Sequence, residues 1–358
     1  MTAASVPTAA GGATAGRTFV AADVGGTHVR IALVHGAGGR VEVLHYRKYA
    51  CADFAGLAEV VAHFQAGVPD AAGVREGVIA CAGQPLPDGG LLAVNLPWPV
   101  SMPALRERLG FTRFELVNDF EAVAHAVGHG GVDVLLHLSG PDSVPPGPVL
   151  VVGPGTGLGA AVRIPARGGA VVLATEAGQA SLPVREDIEI ELLRELRRGH
   201  GHVTLEHALS GPGLVRLHHA LARVRGVRTG LDAPAAISAA ALADDDPLAR
   251  ETLEVFCALL GGAVGDMALL YGAHGGVYLA GGVLPRIRDF LPRSAFVRRF
   301  LDKGPMRRAL ERIPVTLVEH GQLGVIGAAS WYLGHTGDPL DTDAPHPREA
   351  CRSCSQPD

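Results

Sequence analysis

A chain of 358 residues, 47% of them apolar, is long enough for two ordinary domains and for a core that needs no staples. Its formal charge of −5 argues against nucleic acid or an anionic membrane as a partner, because both call for a basic field. The five cysteines are an odd number, and no basic start with a continuous apolar run precedes them, so the expected compartment is reducing and cytoplasmic.

Residues 1–17 are small and polar and read as a flexible lead. The ordered body opens with a strand over Phe19–Asp23, a Gly25-Gly26-Thr27 turn, a second strand over Val29–Val34 and a third over Val41–Tyr46, which together form a meander. Phe54, Leu57, Ala58, Val61 and Phe64 share one helical face. Strands are predicted over Gly77–Ala82 and Phe114–Val117, the latter running into Asn118-Asp119 and a helix over Phe120–Val127. After the Pro-rich stretch 141–148, the strand Val149–Val152 meets Gly155-Thr156-Gly157, and Ala160–Ile164 returns. Helices follow over Glu186–Arg198, Pro212–Val224 and Pro247–Tyr271. The last of these carries Glu254, Asp266 and several glycines, which favours a buried helix over a membrane span. A strand over Gly276–Ala280 breaks at Gly281-Gly282, Pro314–Val318 is a further strand, and Gly324–Tyr332 closes the fold as a helix. The end, 335–358, is rich in Pro, Asp and His and reads as a flexible tail, with its Cys351-x-x-Cys354 a chance pair and not a metal site.

Two stretches, FVAADVGGTHVRIALV and VLVVGPGTGLGAAVRI, share the order strand, Gly-Thr turn, strand. This echo fits two copies of one α/β lobe facing each other. In the first, Ala22, Asp23, Val24, Gly25, Gly26 and Thr27 offer backbone N–H groups and a hydroxyl with little Cβ bulk, which is what a phosphate needs. Asp23 at the strand end faces a magnesium ion through water, and Arg30 adds charge. The other reading of this stretch is a plain Gly-Gly hairpin. Gly155, Thr156 and Gly157 form a second such loop, with neither the Lys of a P-loop nor the following helix of a dinucleotide fold. Asp119 lies where α/β sheets place catalytic groups, beyond the carboxyl end of a strand, but an Asp there also serves as a helix cap, and periodicity does not separate the two. Glu176 and Glu206 are of the type that grips vicinal sugar hydroxyls, but each taken singly reads equally as a solvated surface charge. Gly281 and Gly282 would let a flat base lie against backbone.

Taken together, DVGGTHVRIALV, LVNDFEAVAHAV, VGPGTGLG, TEAGQ, LEHALSGPGL, GGVYLAGGVLPR and FLDKGPM resemble, in order and spacing, the bacterial glucokinase family of the hexokinase and actin-like ATPase superfamily, over residues 18–334. The resemblance implies an α/β fold of two RNase H-like, actin-like ATPase lobes with a cleft between them. The small lobe would take 18–130 and be completed by 320–334, and the large lobe would take 131–319. It implies ATP with Mg²⁺ as donor, glucose or a related hexose as acceptor, and glucose 6-phosphate and ADP as products. Asp119 becomes the general base on the 6-hydroxyl. Asn95, Asn118, Asp119, Glu176, Gln179 and Glu206 become the sugar ligands, and the two Gly-Thr turns with Gly281-Gly282 become the nucleotide cradle. No metal is held directly, no nucleic acid or membrane partner is implied, and a homodimer is. The chain departs from the family at Gln179, where His is usual and is expected to touch the sugar, and at His28, where Asn is usual. Gln179 opens the other reading, a non-catalytic sugar sensor that kept the fold.

Overall fold

Six consecutive residues, Phe19 to Val24, are buried, as they must be in a strand that runs through the middle of a sheet covered on both faces. The computed structural model describes residues 16–37, 40–92, 96–128, 134–167, 169–319 and 321–336. Its first half contains β1 (Arg17–Val24), β2 (His28–Ala37), β3 (Arg40–Ala50), α1 (Leu57–Gly67), β4 (Glu76–Cys81), β5 (Gln84–Pro85), β6 (Gly90–Leu92), β7 (Val100–Ser101), α2 (Met102–Leu109), β8 (Arg113–Asn118) and α3 (Asp119–Gly128). One five-stranded sheet runs β3-β2-β1-β4-β8, antiparallel among its first three strands and parallel thereafter. Strands β5 to β7 form a separate small sheet.

The rest comprises β9 (Val134–Ser139), β10 (Val149–Pro154), β11 (Leu158–Ala166), β12 (Gly169–Thr175), α4 (Asp187–Arg197), α5 (Leu205–Ala208), α6 (Gly211–Arg225), α7 (Pro234–Ala243), α8 (Pro247–Leu270), β13 (Gly276–Leu279), α9 (Phe296–Leu301), α10 (Arg307–Leu310), β14 (Val315–Val318) and α11 (Leu323–Thr336). The second sheet runs β12-β11-β10-β13-β14, with the same alternation of antiparallel and parallel pairs, and adds β9 at its edge. Its strand β10 is buried throughout, as β1 is from Phe19 to Val24. The echo in the sequence is therefore a repeat of topology: each half carries an RNase H-like sheet, and the chain has the actin-like ATPase fold.

Side chains alternate across a strand, so each sheet has two apolar faces to cover. In the first, Val20, Ala22 and Val24 pack with Leu57, Val61 and Phe64 of α1 and Leu105 of α2. The opposite face, Phe19, Ala21, Ala32 and Val34, is covered by Val325, Ala328, Ala329 and Tyr332 of α11. In the second sheet, Leu150 and Val152 join a core with α6 and α8, while Val149, Val151 and Ala161 meet Phe120, Val123 and Ala124 of α3. Helices α11 and α3 pack on each other, so the layer between the sheets is this helix pair. The apolar helix α8 is a core element, with Leu253, Phe256 and Val264 fully buried. Helix α11 runs to Thr336, whose hydroxyl donates to the Tyr332 carbonyl at 2.7 Å. The terminal stretches, including Cys351 and Cys354, lie outside the described residues.

Candidate functional site

Each Gly-Thr turn joins the central strand of a sheet to its antiparallel neighbour. In the first, the Gly25 N–H donates to the His28 carbonyl at 3.0 Å, and the Cys51 N–H donates to the Thr27 carbonyl at 2.9 Å. A Cβ at Gly25 would meet nothing nearer than 3.5 Å, so its backbone is open to a ligand. Thr27 is exposed, while Ala22 and Val24 are buried in the strand and can offer main chain only. In the second turn, the Gly155 N–H donates to the Gly157 carbonyl at 2.8 Å, and the Gly155 carbonyl accepts from Gly211 N–H at 2.8 Å, which ties the turn to the start of α6. Nothing stands within 4 Å of where a Gly155 Cβ would be, and Thr156 is exposed. Gly281 lies beside this turn at φ 86°, and a Cβ there would sit 2.5 Å from the Pro154 carbonyl oxygen, so only glycine fits. Gly282 next to it faces open space. The Gly25 and Gly155 N–H groups are spent inside their turns, but the free space beside both glycines and the exposed Thr27 and Thr156 leave room at each turn for an anion.

Asp119 opens α3 at the end of β8. Asn118 is the cap: its Oδ1 accepts from the N–H groups of Phe120 at 2.9 Å and Glu121 at 3.1 Å. Asp119 Oδ1 also accepts from Phe120 N–H at 2.9 Å, and its other oxygen is left for other chemistry. Burial first, then the negative Asp23, pushes the Asp119 carboxyl up to about 6, with Glu176 adding to the effect and the Phe120 N–H opposing it. Asp23, at 7% exposure, pairs with Arg30 Nη1 at 3.0 Å. Helix α11 comes so close at Gly324 that a Cβ there would lie 2.6 Å from Asp23 Cγ.

Glu176 follows β12, and the Gln179 N–H donates to its carbonyl at 2.9 Å. Gln179 Nε2 donates to Glu206 Oε1 at 3.3 Å, and the Leu158 N–H donates to Glu206 Oε2 at 2.9 Å. A Cβ at Gly157 would strike that same oxygen, so the glycine makes room for Glu206 against the second turn. The strip carrying Gln179 is zipped to the strip carrying Glu206: Leu205 N–H donates to Ala180 O at 2.8 Å, Leu182 N–H to Val203 O at 3.0 Å, and His202 Nε2 reaches Gln179 O at 3.3 Å.

The structure thus links Asp119, Asp23 and Glu176 by their fields, and Glu176, Gln179, Glu206 and the Gly155–Gly157 turn by hydrogen bonds. Asn95 lies outside the described residues, although Trp98 nearby is fixed by Nε1 donating to Phe54 O at 3.0 Å. Sequence reasoning missed Gly324 behind Asp23, Gly211 behind Gly155 and the hydrogen bond of His28 Nδ1 to Thr27 Oγ1 at 3.1 Å. A glycine inside the predicted helix 324–332 was the available signal for the first, since such a glycine usually marks a close approach.

The doubled sheet is that of the actin-like ATPase fold, the fold of the glucokinases this chain resembles. The family model for glucokinase matches residues 20–335. The chain belongs to the glucokinase family. It is 50% identical over 319 residues to a glucokinase-like protein of Xylella fastidiosa strain 9a5c, covering 88% of this chain and 95% of that one. It is 40% identical over 307 residues to the glucokinase of Marinobacter nauticus, covering 86% of this chain and 94% of that one. Among solved structures, the glucokinase from an Antarctic psychrotroph superposes with a TM-score of 0.75 at 35% identity, covering 88% of this chain and 98% of that one.

Proposed function

We propose that the protein transfers the γ-phosphoryl group of ATP to the 6-hydroxyl of glucose, giving glucose 6-phosphate and ADP. The observation that carries this reading is Asp119: a carboxyl at a strand end, raised to about 6, ionised at neutral pH yet still basic enough to accept a proton. It feels the charges of Asp23, at the end of β1, and of Glu176, at the start of the Glu176–Gln179–Glu206 strip. Asp119 takes the proton of the 6-hydroxyl as that oxygen becomes the nucleophile. Asn118, whose Oδ1 is spent on the cap, offers only its Nδ2 to the sugar. Glu176, Gln179 and Glu206 hold the ring, with Asn95 beside it, and the zipped strip keeps Gln179 and Glu206 in register. The N–H groups around Gly25–Thr27 and Gly155–Gly157 receive phosphate oxygens, and Gly281-Gly282 leaves room for the base.

ATP with Mg²⁺ supplies the electrophilic phosphorus and neutralises its charge. Asp23, whose charge reaches Asp119 and which pairs with Arg30, is suited to an outer contact through water with a cation carried by the nucleotide. The moving units in this reading are 18–130 with 320–334, and 131–319. Their closure on the sugar excludes water as a competing acceptor. We further place the enzyme in the cytoplasm, at the entry of sugar into glycolysis, as a homodimer.

The second reading, a sugar sensor without catalysis, rests on Gln179 replacing the family's His. A coupled assay of ADP release over glucose, mannose and glucosamine separates the two. Glucose-dependent ADP release supports the kinase. Glucose binding with no sugar phosphate formed from any hexose, with ATP or with polyphosphate as donor, supports the sensor.

A further inference from the structure

Beside the first Gly-Thr turn, strand pairing places like charges against each other. Arg30 on β2 lies opposite Lys48 on β3, and His28 lies opposite Ala50. Residues two apart on a strand and residues directly opposite share a face, so His28, Arg30 and Lys48 stand together. Asp23, opposite Arg30 on β1, is the carboxylate paired with this group, and it is committed to Arg30 at 3.0 Å. Among the described residues Lys48 has no carboxylate partner and is exposed. Like charges directly across a sheet cost stability. Two cations and an imidazole, with one acid, at the rim of an open-backbone turn make the arrangement of an anion site.

We propose that Lys48 is a phosphate ligand of the nucleotide, added to the Gly25–Thr27 turn, and that the His28–Thr27 hydrogen bond works as a proton-linked grip on the Thr27 hydroxyl. This rests on the donor reading above. Without nucleotide, burial, Lys48 and Arg30 together hold the imidazole below its usual pKa, so it stays neutral. Neutral Nδ1 then accepts the Thr27 hydroxyl hydrogen across the 3.1 Å contact. A polyanion arriving at the turn reverses the local field. A proton passes from solvent to Nδ1, which becomes the donor to Thr27 Oγ1, and the hydroxyl hydrogen turns to a phosphate oxygen. No bond other than these N–H and O–H contacts changes. The other groups facing His28 are Arg30 and Asp23 across β2 and β1, Tyr46 beside Arg30, and Cys51, whose N–H and thiol bind the turn's carbonyls.

The test is calorimetric titration of the full chain with ATP and Mg²⁺, without sugar, in two buffers of different ionisation enthalpy near neutral pH. Wild type should take up protons on binding. His28→Asn, the residue usual in the family, should bind ATP with less proton uptake in the same buffers, a comparison that cancels the nucleotide's own protons. Lys48→Met should weaken ATP binding about three- to tenfold and make it less salt-dependent, while its affinity for glucose, measured separately, stays at the wild-type value and reports an intact fold. ATP binding with the same proton count in wild type and His28→Asn, and the same affinity in Lys48→Met, overturns this proposal alone. No ATP binding by wild type overturns both it and the donor reading.

Discussion

Asp119 is held where its own charge is disfavoured. Its carboxyl is raised from 3.8 to about 6, so between those values the folded chain keeps a proton that the unfolded chain has released. Stability therefore falls as pH rises through that interval, and the full cost is present above about 6. Asp119→Asn removes both the base and the cost. Its kcat should drop by about 10²–10⁴-fold with glucose affinity changed far less. At pH 8 the variant should be more stable than wild type by roughly 1–3 kcal/mol, and at pH 4 the gain should shrink, as denaturant titrations at the two values would read. The wild-type rate should fall on the acid side with an apparent pKa near 6. A variant with near-normal turnover would reduce Asp119 to a second cap beside Asn118. At Gln179, replacement by His should lower KM for glucose by up to about tenfold with kcat little changed, since one imperfect hydrogen bond is worth about that much. Steady-state kinetics with glucose, mannose and glucosamine test this, and unchanged KM values would mean that Gln179 touches Glu206 and not the sugar. Residue identities were legible here because glycine turns and strand-end carboxylates have chemical reasons to be where they are. The split of labour between Asn118 and Asp119 was not, because either side chain can cap a helix.

Helices α3 and α11 meet along glycine. A Cβ at Gly327 would run into the Ala122 carbonyl oxygen, and one at Gly159 on β11 would run into the Phe120 ring. Gly327→Ala must push α3 away from α11, and Asp119 sits at the first turn of α3. The expected result is a loss of about 1–3 kcal/mol in denaturant unfolding together with a fall in kcat, because the base moves with its helix. Undiminished activity in the destabilised protein would show that α3 shifts without displacing Asp119. The central strands were readable from continuous apolar runs, as were the helices that carry one apolar stripe. Others were not, and three of them show why. Strand β12 is an edge that leaves Val171 and Leu173 exposed, so its pattern lacks a buried face. Strand β9 is fixed by pairing with β14, far along the chain, which no local window contains. Helix α7 is mostly alanine, and alanine marks no face.

At the scale of the molecule, the two sheets share the α3–α11 layer, so the first lobe depends on the last helix of the fold. The Phe19 and Tyr332 rings lie 4.6 Å apart, and the Tyr332 hydroxyl donates to Glu76 at 3.0 Å. A fragment of residues 16–128 should show no cooperative melt, and linking 321–336 to it should restore one; a fragment that melts cooperatively alone would show α11 to be dispensable to that core. This dependence sets an order of assembly during synthesis. About 200 residues separate the end of β8 from the start of α11, roughly ten to forty seconds of translation. For that time the nascent sheet of β1 to β4 and β8 lacks Val325, Ala328, Ala329 and Tyr332 to cover Phe19, Ala21, Ala32 and Val34. The second lobe is made later but already has α3 in hand when its strands emerge, so the half of the protein synthesised first is the half that finishes folding last, and the interval between is when a chaperone would find its apolar face.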